Sequence, residues 1–493
     1  MDFIAPALDM RLIMPVFIVA GWGVVLLVLD LFLEEGQKKF WPWVAAIGLV
    51  PAFFQTVGLW GQSAGTFTPV GRDSMILVDN YSTFLNITLL LTGFFAILIS
   101  SEHMQRMKLD KPEYYMLILI SLSGMMLMGM ANDLILVFLA LELFSIPLYI
   151  LSAFALPDMR SEEAGLKYFL LGAFSSGFLV FGIALIYGAT GSTALPVIAE
   201  NLAGSEMFTI GLMGVALLLV GLAFKVSAAP FHMWTPDVYD GAPTTVTAFM
   251  SVGAKVGGFA AMMRIFFTAL MDIADVWMGP VAVLAALTMI LGNVIALAQP
   301  NIKRMLAYSS ISHAGYIMMA VAAGALSDKS QGAALFYLFA YLFTNMGAFA
   351  VVSALETADG KGLMLDDYKG LANKNYWMAL AMAYLMLSFT GVPPSGGFMG
   401  KFFVFQAALE ADLLWLTLIG VVTSVISGYY YLRVVYYMFM FEGNKVELKL
   451  APAVAWTVIV TTLVTLLLGV SPNMWFELVR DVAVQVAPVL FAG

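Results

Sequence analysis

The sequence predicts an all-α polytopic membrane protein with about 14 transmembrane helices. Three observations predict it: the composition, the spacing of the apolar segments, and the alternation of basic residues between the loops. Hydrophobic residues make up 61% of the 493 positions, charged residues only 11%, and the mean hydropathy is +0.92. Because a soluble globular chain carries about 25% charged residues, we expect most of this chain to lie in lipid.

Each apolar segment is long enough to cross a bilayer, which takes about 20 residues. The fourteen predicted segments, numbered 1 to 14 in chain order, lie near 12–33, 40–60, 79–100, 113–130, 133–155, 163–188, 207–240, 244–268, 277–298, 304–325, 331–355, 378–411, 413–441 and 453–470. The first is too long for a signal peptide, so we expect it to be retained. The stretch 472–490 mixes charged and apolar residues and is expected to be interfacial.

Lysines and arginines test this topology, because cytoplasmic loops carry an excess of them. Of the 23 basic residues, 13 fall in one set of alternate connections, 4 in the other, and 6 within segments. The richer set is Lys38, Lys39, Arg106, Lys108, Lys111, Arg160, Lys303, Arg304, Lys361, Lys369, Lys374, Lys445 and Lys449. The poorer set is Arg11, Arg72, Lys329 and Arg480. This bias predicts that both termini lie on the outer side of the membrane.

Segments 7 (207–240) and 12 (378–411) are too long for a single span. Each has 34 residues, about 50 Å as a continuous helix against an apolar core of about 30 Å. Pro230 interrupts the first, and Pro393 and Pro394 interrupt the second; proline removes an amide donor and clashes with the preceding turn. Two breaks five segments apart indicate a duplication, inverted because the offset is odd. The alternative is that prolines are simply common in membrane helices.

The duplication predicts four parts of the chain. Residues 1–112 would hold three N-terminal segments, and 113–270 the first five-helix repeat (segments 4–8). Residues 271–441 would hold the inverted second repeat (segments 9–13), and 442–493 segment 14 with the interfacial tail.

Four ionisable residues lie deep inside predicted segments: Glu142, Lys225, Lys255 and Lys401. A charge at the bilayer centre costs roughly 3 kcal/mol on insertion scales, so a chain that keeps four is expected to use them. A lysine balanced between desolvation and a nearby carboxylate can change protonation state near neutral pH, as a proton relay requires. The structural alternatives are an ion pair that fixes two helices, for Glu142, and a snorkelling or carbonyl-bound ammonium, for each lysine.

Three further residues are possible relay members: Lys167, His232 and His313. Lys167 lies near a segment end and could equally reach the membrane interface. Imidazole titrates near neutrality, although either histidine could equally be a packed polar residue. Arg264 and Arg433 are close enough to segment ends to snorkel, and we expect both to be anchors or lipid contacts.

The sequence argues against several cofactor classes. The chain has no cysteine, hence no disulfide framework and no thiolate for an iron–sulfur cluster. Its three histidines are far apart in sequence, and we find no phosphate-binding loop or dinucleotide fingerprint. The tyrosines at 429–431 and 436–437 are expected to be packing residues and interface anchors rather than a cofactor site. Redox or nucleotide chemistry would therefore belong to other chains.

At the breaks and the buried charges, the chain resembles the antiporter-like membrane subunits of proton-pumping NADH:quinone oxidoreductase (respiratory complex I). The matching stretches are 224–239 (FKVSAAPFHMWTPDVY), 241–244 (GAPT), 303–311 (KRMLAYSSI) and 393–401 (PPSGGFMGK). They are long and specific, and with the segment count the resemblance covers nearly the whole chain, least in segments 1–3. It implies fourteen helices with inverted repeats of five.

The resemblance also implies roles for four residues. The family's segment-5 glutamate matches Glu142, its segment-7 lysine Lys225, its segment-8 lysine Lys255, and its segment-12 ionisable residue Lys401. That last residue is typically glutamate in the M paralogue, and the L paralogue carries a long C-terminal lateral helix. Here the residue is lysine and the chain stops soon after segment 14, so in these two features the sequence matches neither the M nor the L paralogue.

The function implied is proton translocation without redox chemistry on this chain. Glu142 and Lys225 would form a pair that responds to a neighbouring subunit, Lys255 would pass a proton along the midplane, and Lys401 would exchange it with the outer side. No cofactor is expected here; NADH, FMN, iron–sulfur clusters and quinone would belong to partner subunits. The partners would be other membrane-arm subunits, including antiporter-like paralogues, and the lipid of a bacterial cell inner membrane, with no nucleic acid.

Three alternatives remain open at this point. The chain could be a subunit of a multi-subunit cation/proton antiporter, a stand-alone solute symporter, or a structural spacer of the membrane arm. Sodium-dependent exchange without NADH oxidation would favour the first, and transport by this chain alone the second. The third predicts that neutralising the buried lysines alters assembly but not pumping.

Overall fold

The computed structural model describes residues 7–32, 40–69, 72–358, 360–442 and 451–484. Nineteen α-helices lie in these ranges: α1 (Met10–Asp30), α2 (Trp41–Gly58), α3 (Asn80–Arg106), α4 (Pro112–Met130), α5 (Leu134–Ser152), α6 (Met159–Thr190), α7 (Leu195–Leu202), α8 (Phe208–Lys225), α9 (Trp234–Gly241), α10 (Thr244–Thr268), α11 (Ala274–Ala296), α12 (Ile302–Ala322), α13 (Ser330–Leu355), α14 (Leu371–Lys374), α15 (Tyr376–Thr390), α16 (Gly396–Glu410), α17 (Leu414–Met440), α18 (Pro452–Val470) and α19 (Pro472–Val484). Two short strands, β1 (Ala64–Thr66) and β2 (Ile76–Val78), pair antiparallel.

The prediction of an all-α polytopic membrane protein is confirmed. Twelve helices among the described residues are long and apolar enough to cross a membrane, and they account for every predicted segment except 10 and 12. Segment 12 is divided by its break into two helices of 15 residues. Segment 10 corresponds to α12, which begins with Lys303 and Arg304 and carries His313. The count of fourteen spans stays a prediction.

Helices α10 and α13 form the centre of the bundle. Their apolar stretches are entirely buried, whereas only 39% of the corresponding stretches of α1, α6, α17 and α18 is buried. Because α10 packs against α3, α4 and α13, Lys255 on α10 lies in the middle of the protein. A helix that is buried all round has no lipid-facing side, so this lysine cannot be a lipid contact.

The basic residues of the richer set lie mostly at one end of the bundle. Arg160 and Lys303 line one open cavity together with the loops that follow α5, α9 and α13. Arg106 lies nearby, because it donates to the carbonyl oxygen of Ser353 near the end of α13. We call this end of the bundle the basic end. Lys38, Lys39, Lys445 and Lys449 lie outside the described residues.

The first break separates α8 from α9. Helix α8 ends at Lys225, and α9 begins at Trp234 after an irregular stretch that contains Pro230. The amide of Ala229 in this stretch donates to Oγ1 of Thr288 on α11 at 2.9 Å. A backbone donor freed in the membrane thus finds a protein partner, as the lipid environment requires.

The second break separates α15 from α16. Gly391 ends α15 with a left-handed backbone (φ +89°), which glycine adopts without steric cost. After Pro393 and Pro394, Ser395 caps α16 by accepting the amide of Phe398 at 3.2 Å. The chain therefore leaves and re-enters the helix at the prolines that the sequence singled out.

Close contact between the two halves of this break gives a testable prediction. A methyl group added at Gly397 would lie 2.0 Å from the carbonyl oxygen of Ser388 on α15. We expect Gly397→Ala to push the half-helices apart and to cost about 1–3 kcal/mol in stability. An added methyl at Gly177 on α6 has nothing within 4 Å, so Gly177→Ala is the matched control. Equal thermal denaturation midpoints of the two assembled complexes would contradict the close approach.

The C-terminal helix α19 contacts the bundle through aromatic residues. The ring of Phe476 stacks on Phe403 of α16, with centroids 3.9 Å apart, and Trp475 lies near Phe339 of α13. α19 covers most of the stretch that we expected to be interfacial, and residues 485–490 lie outside the described part.

Candidate functional site

Lys401 joins the two halves of the second break. Its Nζ donates to the carbonyl oxygens of Phe389 and Thr390 at 2.9 Å each, and to Oγ of Ser424 on α17 at 2.8 Å. The carbonyls belong to the last turn of α15, whose partial negative charge favours a cation. Lys401 is 3% exposed, and its Nζ lies 4.8 Å from the ring centre of Tyr316. All three ammonium protons have acceptors.

Lys255 binds α12. Its Nζ donates to the carbonyl oxygen of Ser310 at 2.7 Å and also contacts that residue's hydroxyl. The hydroxyl of Tyr341 on α13 donates to the same Ser310 Oγ at 2.9 Å. Lys255 and Lys401 are both bound to carbonyls, as the structural alternative expected, but both also contact hydroxyls that can pass a proton.

His313 lies between these two lysines. Its Nδ1 is 2.6 Å from Oη of Tyr337, and its Nε2 is 3.0 Å from Oη of Tyr431. The Tyr431 hydroxyl is also hydrogen-bonded to Ser309, the residue before the serine that holds Lys255. Each ring nitrogen thus has a hydroxyl partner, and a neutral imidazole needs one donor and one acceptor.

The three residues form one buried row. From Lys255 the row runs through Ser310 and Ser309 to Tyr431 and His313. Between His313 and Lys401 the contacts are through two aromatic residues. The imidazole lies 5.2 Å from the ring of Phe389 and 6.0 Å from the ring of Tyr316. Lys401 binds the carbonyl of Phe389 and faces the ring of Tyr316. A cavity of about 10 Å³ beside His313 has room for about one water.

Lys225 belongs to a separate group. Its Nζ donates to Oγ of Ser145 at 2.8 Å and to Oη of Tyr149 at 3.2 Å, both on α5. The rings of Phe144 and Phe224 lie 5.5 and 5.7 Å from Nζ, a distance at which aromatic faces stabilise a cation. The side chain therefore points to α5, whereas Lys255 points to α12.

Glu142 lies on the same helix face as Ser145, three residues earlier. Its carboxylate accepts the hydroxyl of Ser176 on α6, and it is partly exposed between the exposed apolar side chains of Leu139 and Leu143. In the described part of the chain, Glu142 and Lys225 form no ion pair within 4 Å, although Lys225 binds Ser145 on the face of α5 that also carries Glu142.

Lys167 lies in a surface ion-pair group near the basic end. Its Nζ is 2.7 Å from both Glu163 and Asp237, and Arg304 is 2.9 Å from Asp237. The Lys167 side chain is 40% exposed. Its role as a relay member stays a prediction.

His232 lies in the first break, next to the exposed Met233. Its Nδ1 is buried and has no hydrogen-bond partner in the described residues. The structure does not connect it to Lys225 by a hydrogen bond, so its role also stays a prediction.

The structure contradicts one expectation for the arginines. Arg264 is 1% exposed rather than a lipid contact: it donates to both carboxylate oxygens of Asp79 at 2.6 and 3.0 Å, and to the carbonyl of Gly129 at 2.8 Å. The expectation was wrong because snorkelling reach depends on the neighbours of a helix, which the sequence does not give. Arg433 donates to the carbonyls of Leu297 and Gln299 after α11.

Tyrosines are the functional candidates that the sequence interpretation missed. Tyr431 was grouped with the interface anchors, yet it is fully buried and binds His313. Aromatic rings also connect the Lys225 group to α9: Tyr149 lies 4.8 Å from Tyr168, and Tyr168 stacks on Trp234 at 4.3 Å. Tyr431 lies at helical spacing from Ser427 and Val434 on the buried face of α17. This spacing was the one signal in the sequence that could have singled it out.

The fold and the buried row of charges define a class: polytopic membrane proteins with two broken helices and titratable groups buried between their helices. Residues 131–427 match the family described as NADH:quinone oxidoreductase/Mrp antiporter, TM. The chain is 44% identical over 492 residues to NADH-quinone oxidoreductase subunit N 2 of Roseiflexus castenholzii, covering 98% of each. It is 46% identical to subunit N of Chloroflexus aggregans, covering 89% of each.

Solved structures agree with this assignment. A chain of respiratory complex I from Thermus thermophilus with bound aureothin superposes with a TM-score of 0.79 at 33% identity, covering 94% of this chain and 98% of that one. A chain of the Mrp complex from Dietzia sp. has a TM-score of 0.82 at 20% identity, covering 96% and 98%, and shows the fold alone. The protein belongs to the NADH-quinone oxidoreductase subunit N family.

Proposed function

We propose that this chain is a proton-translocating membrane-arm subunit of NADH:quinone oxidoreductase. It would carry no redox chemistry itself: NADH, FMN, iron–sulfur clusters and quinone would be bound by partner subunits. Its neighbours would be other membrane-arm subunits, including antiporter-like paralogues, in the bacterial inner membrane with both termini outside. The parts 113–270 and 271–441 would be inverted copies that frame the relay.

The observation that carries the proposal is the buried row from Lys255 through His313 to Lys401. Hydroxyls of serine and tyrosine lie along it from Lys255 to His313, the hydroxyl of Ser424 binds Lys401, and it lies among helices with no lipid-facing side near Lys255. A row of titratable groups linked by hydroxyls is what proton conduction needs, whereas a spacer needs none and would lose stability by burying them.

The two remaining charged residues, Glu142 and Lys225, would control when protons move along the row. Glu142 is partly exposed on the α5 surface, where a charge on a neighbouring subunit would act on it directly. A change there would be felt by Lys225 through Ser145 and Tyr149 on the same helix. Because such groups titrate together, the relay would have shared rather than individual protonation steps.

The proposal predicts the behaviour of Lys255→Met, which keeps the volume and removes the titratable amine. In assembled complex reconstituted into vesicles, we expect NADH-driven proton translocation to fall by about tenfold or more. Lys329→Met is the control, because Lys329 is paired with Glu410 at a loop and lies outside the row. Wild-type pumping by the Lys255 variant would rule the relay out. Sodium-dependent exchange without NADH oxidation would instead support the antiporter alternative.

A further inference from the structure

A second group of buried titratable residues lies at the basic end, apart from the relay row. His103, near the end of α3, is 1% exposed, Lys303 on α12 is 2% exposed, and Glu356, directly after α13, is 7% exposed. Nε2 of His103 lies 3.5 Å from Oε2 of Glu356. Neither atom has a hydrogen-bond partner within the described residues, although buried polar atoms nearly always have one.

The backbone fixes the tautomer of this histidine. Nδ1 of His103 faces the carbonyl oxygen of Ser353 at 3.4 Å, and a carbonyl can only accept. Nδ1 therefore carries the hydrogen of the neutral ring, and Nε2 presents a free lone pair to the carboxylate of Glu356. A proton added at Nε2 would turn this contact into an ion pair.

The pair faces an open cavity of about 560 Å³. Exposed residues such as Met159 and Arg160 form its rim, and Lys303 lies in its wall with Nζ donating to the carbonyl of Ala242 at 2.7 Å. Since a water occupies about 30 Å³, the cavity holds several. His103 and Glu356 thus line space that water from the basic end can fill, and their two facing atoms are buried just behind its wall.

A polar seam leads from this cavity to Lys255. Thr244, Ser251 and Lys255 lie 7 and 4 residues apart on α10, so they share one face of the helix. Nδ2 of Asn345 on α13 donates to Ser251 Oγ, halfway along the seam. From Thr244 to Lys255 the helix rises by about 16 Å, a distance that a few waters between these side chains would bridge.

The charges around the pair leave the carboxylate ionised. Burial raises the pKa of Glu356, but its neighbours, Lys303 and His103 foremost, together lower it by more, so that it lies below its ordinary value. The imidazole is then the member that takes up the proton. The other charged and titratable groups facing this site are Arg106, Asp158, Arg160, Asp240, Lys303 and Tyr368.

We propose that the His103–Glu356 pair is the site at which this chain takes up protons from the aqueous phase at the basic end, and that the α10–α13 seam passes them to Lys255. The inference rests on the proposed function, because it supplies the relay row with protons. A proton from cavity water bonds to Nε2 of His103 and is held by the carboxylate of Glu356. It then leaves through water along Thr244 and Ser251 to the amine of Lys255, and His103 returns to its neutral form.

The test is the pH profile of proton translocation in reconstituted complex carrying Glu356→Gln. Without the carboxylate the imidazolium is less stable, so we expect uptake to need more protons in the medium at the basic end. The pH of half-maximal pumping should shift down by about one unit or more, and lowering the pH should restore the rate. A purely structural defect would reduce the rate equally at every pH.

Two further variants sharpen the result. His103→Asn should reduce pumping several-fold and abolish the inflection that Glu356→Gln shifts. Asp366→Asn is the matched control: it removes an exposed carboxylate that pairs with Lys369 at 2.9 Å and does not line the cavity. Its profile should equal the wild type. If Glu356→Gln prevents assembly, Glu356→Asp, which moves the charge, gives the same comparison.

Unchanged profiles for both the His103 and the Glu356 variants would overturn the uptake site. Lys255→Met measured in parallel separates the two proposals. If Lys255→Met blocks pumping while the cavity variants behave as wild type, the relay stands and protons enter elsewhere. If Lys255→Met also pumps normally, the relay and the uptake site both fail.

Discussion

Lys401→Met is expected to stop most proton translocation by the assembled complex, by about tenfold or more, while the complex still assembles. The reason is that Lys401 is the last titratable group of the row: it lies beyond His313, and its Nζ donates to Ser424 on α17. Methionine fills the same space and removes the ammonium donor from the carbonyls of Phe389 and Thr390, of which the second keeps the hydroxyl of Ser424 as a donor at 3.1 Å. The measurement is the initial rate of NADH-driven acidification in vesicles, together with NADH oxidation.

The matched control for this variant is Lys369→Met. Lys369 is an exposed lysine paired with Asp366 at 2.9 Å, so its loss removes the same charge without touching the row. We expect wild-type pumping from it. A Lys401 variant that pumps as well as the Lys369 variant would show that the second break does not lie on the proton route. A variant that fails to assemble would instead support a purely structural lysine.

Arg264→Met is expected to destabilise the protein strongly, by about 3–5 kcal/mol. It removes one partner of the buried Arg264–Asp79 pair and leaves a carboxylate, 3% exposed, without a counter-charge. Asp79 also begins α3 by accepting the amide of Ser82 at 2.8 Å, so the first turn of α3 should open. Amide hydrogen exchange of α3 in the assembled complex should accelerate by about a hundredfold or more.

A second change tests the cause. Asp79→Asn keeps the capping oxygen and removes the charge, so the double variant Arg264→Met with Asp79→Asn buries no unpaired carboxylate. It should cost less than the two single changes added together. Arg433→Met, which removes an arginine that only binds carbonyls, is the control and should cost less. Additive costs would mean that the pair contributes nothing beyond packing.

The two breaks were predictable because proline acts locally. Pro230 and the pair Pro393 and Pro394 each remove an amide donor wherever the chain places them, and the helices end at Lys225 and Thr390 as this chemistry demands. The residues that would conduct protons were only partly predictable. Glu142 and the three lysines stood out because a charge in lipid is costly, whereas a tyrosine in lipid is ordinary.

The burial and the partner of each charged residue depend on contacts between distant parts of the chain, which no local sequence pattern predicts. Arg264 was expected near lipid and lies buried against Asp79, 185 residues earlier. Glu142 and Lys225 were expected to form a coupled pair; each binds a serine, on α6 and α5 respectively, and their coupling stays a prediction. His103 escaped notice because its partner, Glu356, lies in a loop far along the chain.

The sequence by itself determined that most of this protein lies in lipid, that it is helical, where two of its helices break, and which family it resembles. These follow from composition and from nearby residues, which act wherever the chain folds. Only the tertiary structure decided which groups meet: Lys255 with Ser310, 55 residues apart, and His313 with Tyr431, 118 apart. Such contacts arise from the packing of whole helices around α10 and α13, and that packing sums over many apolar contacts that no short stretch of sequence encodes.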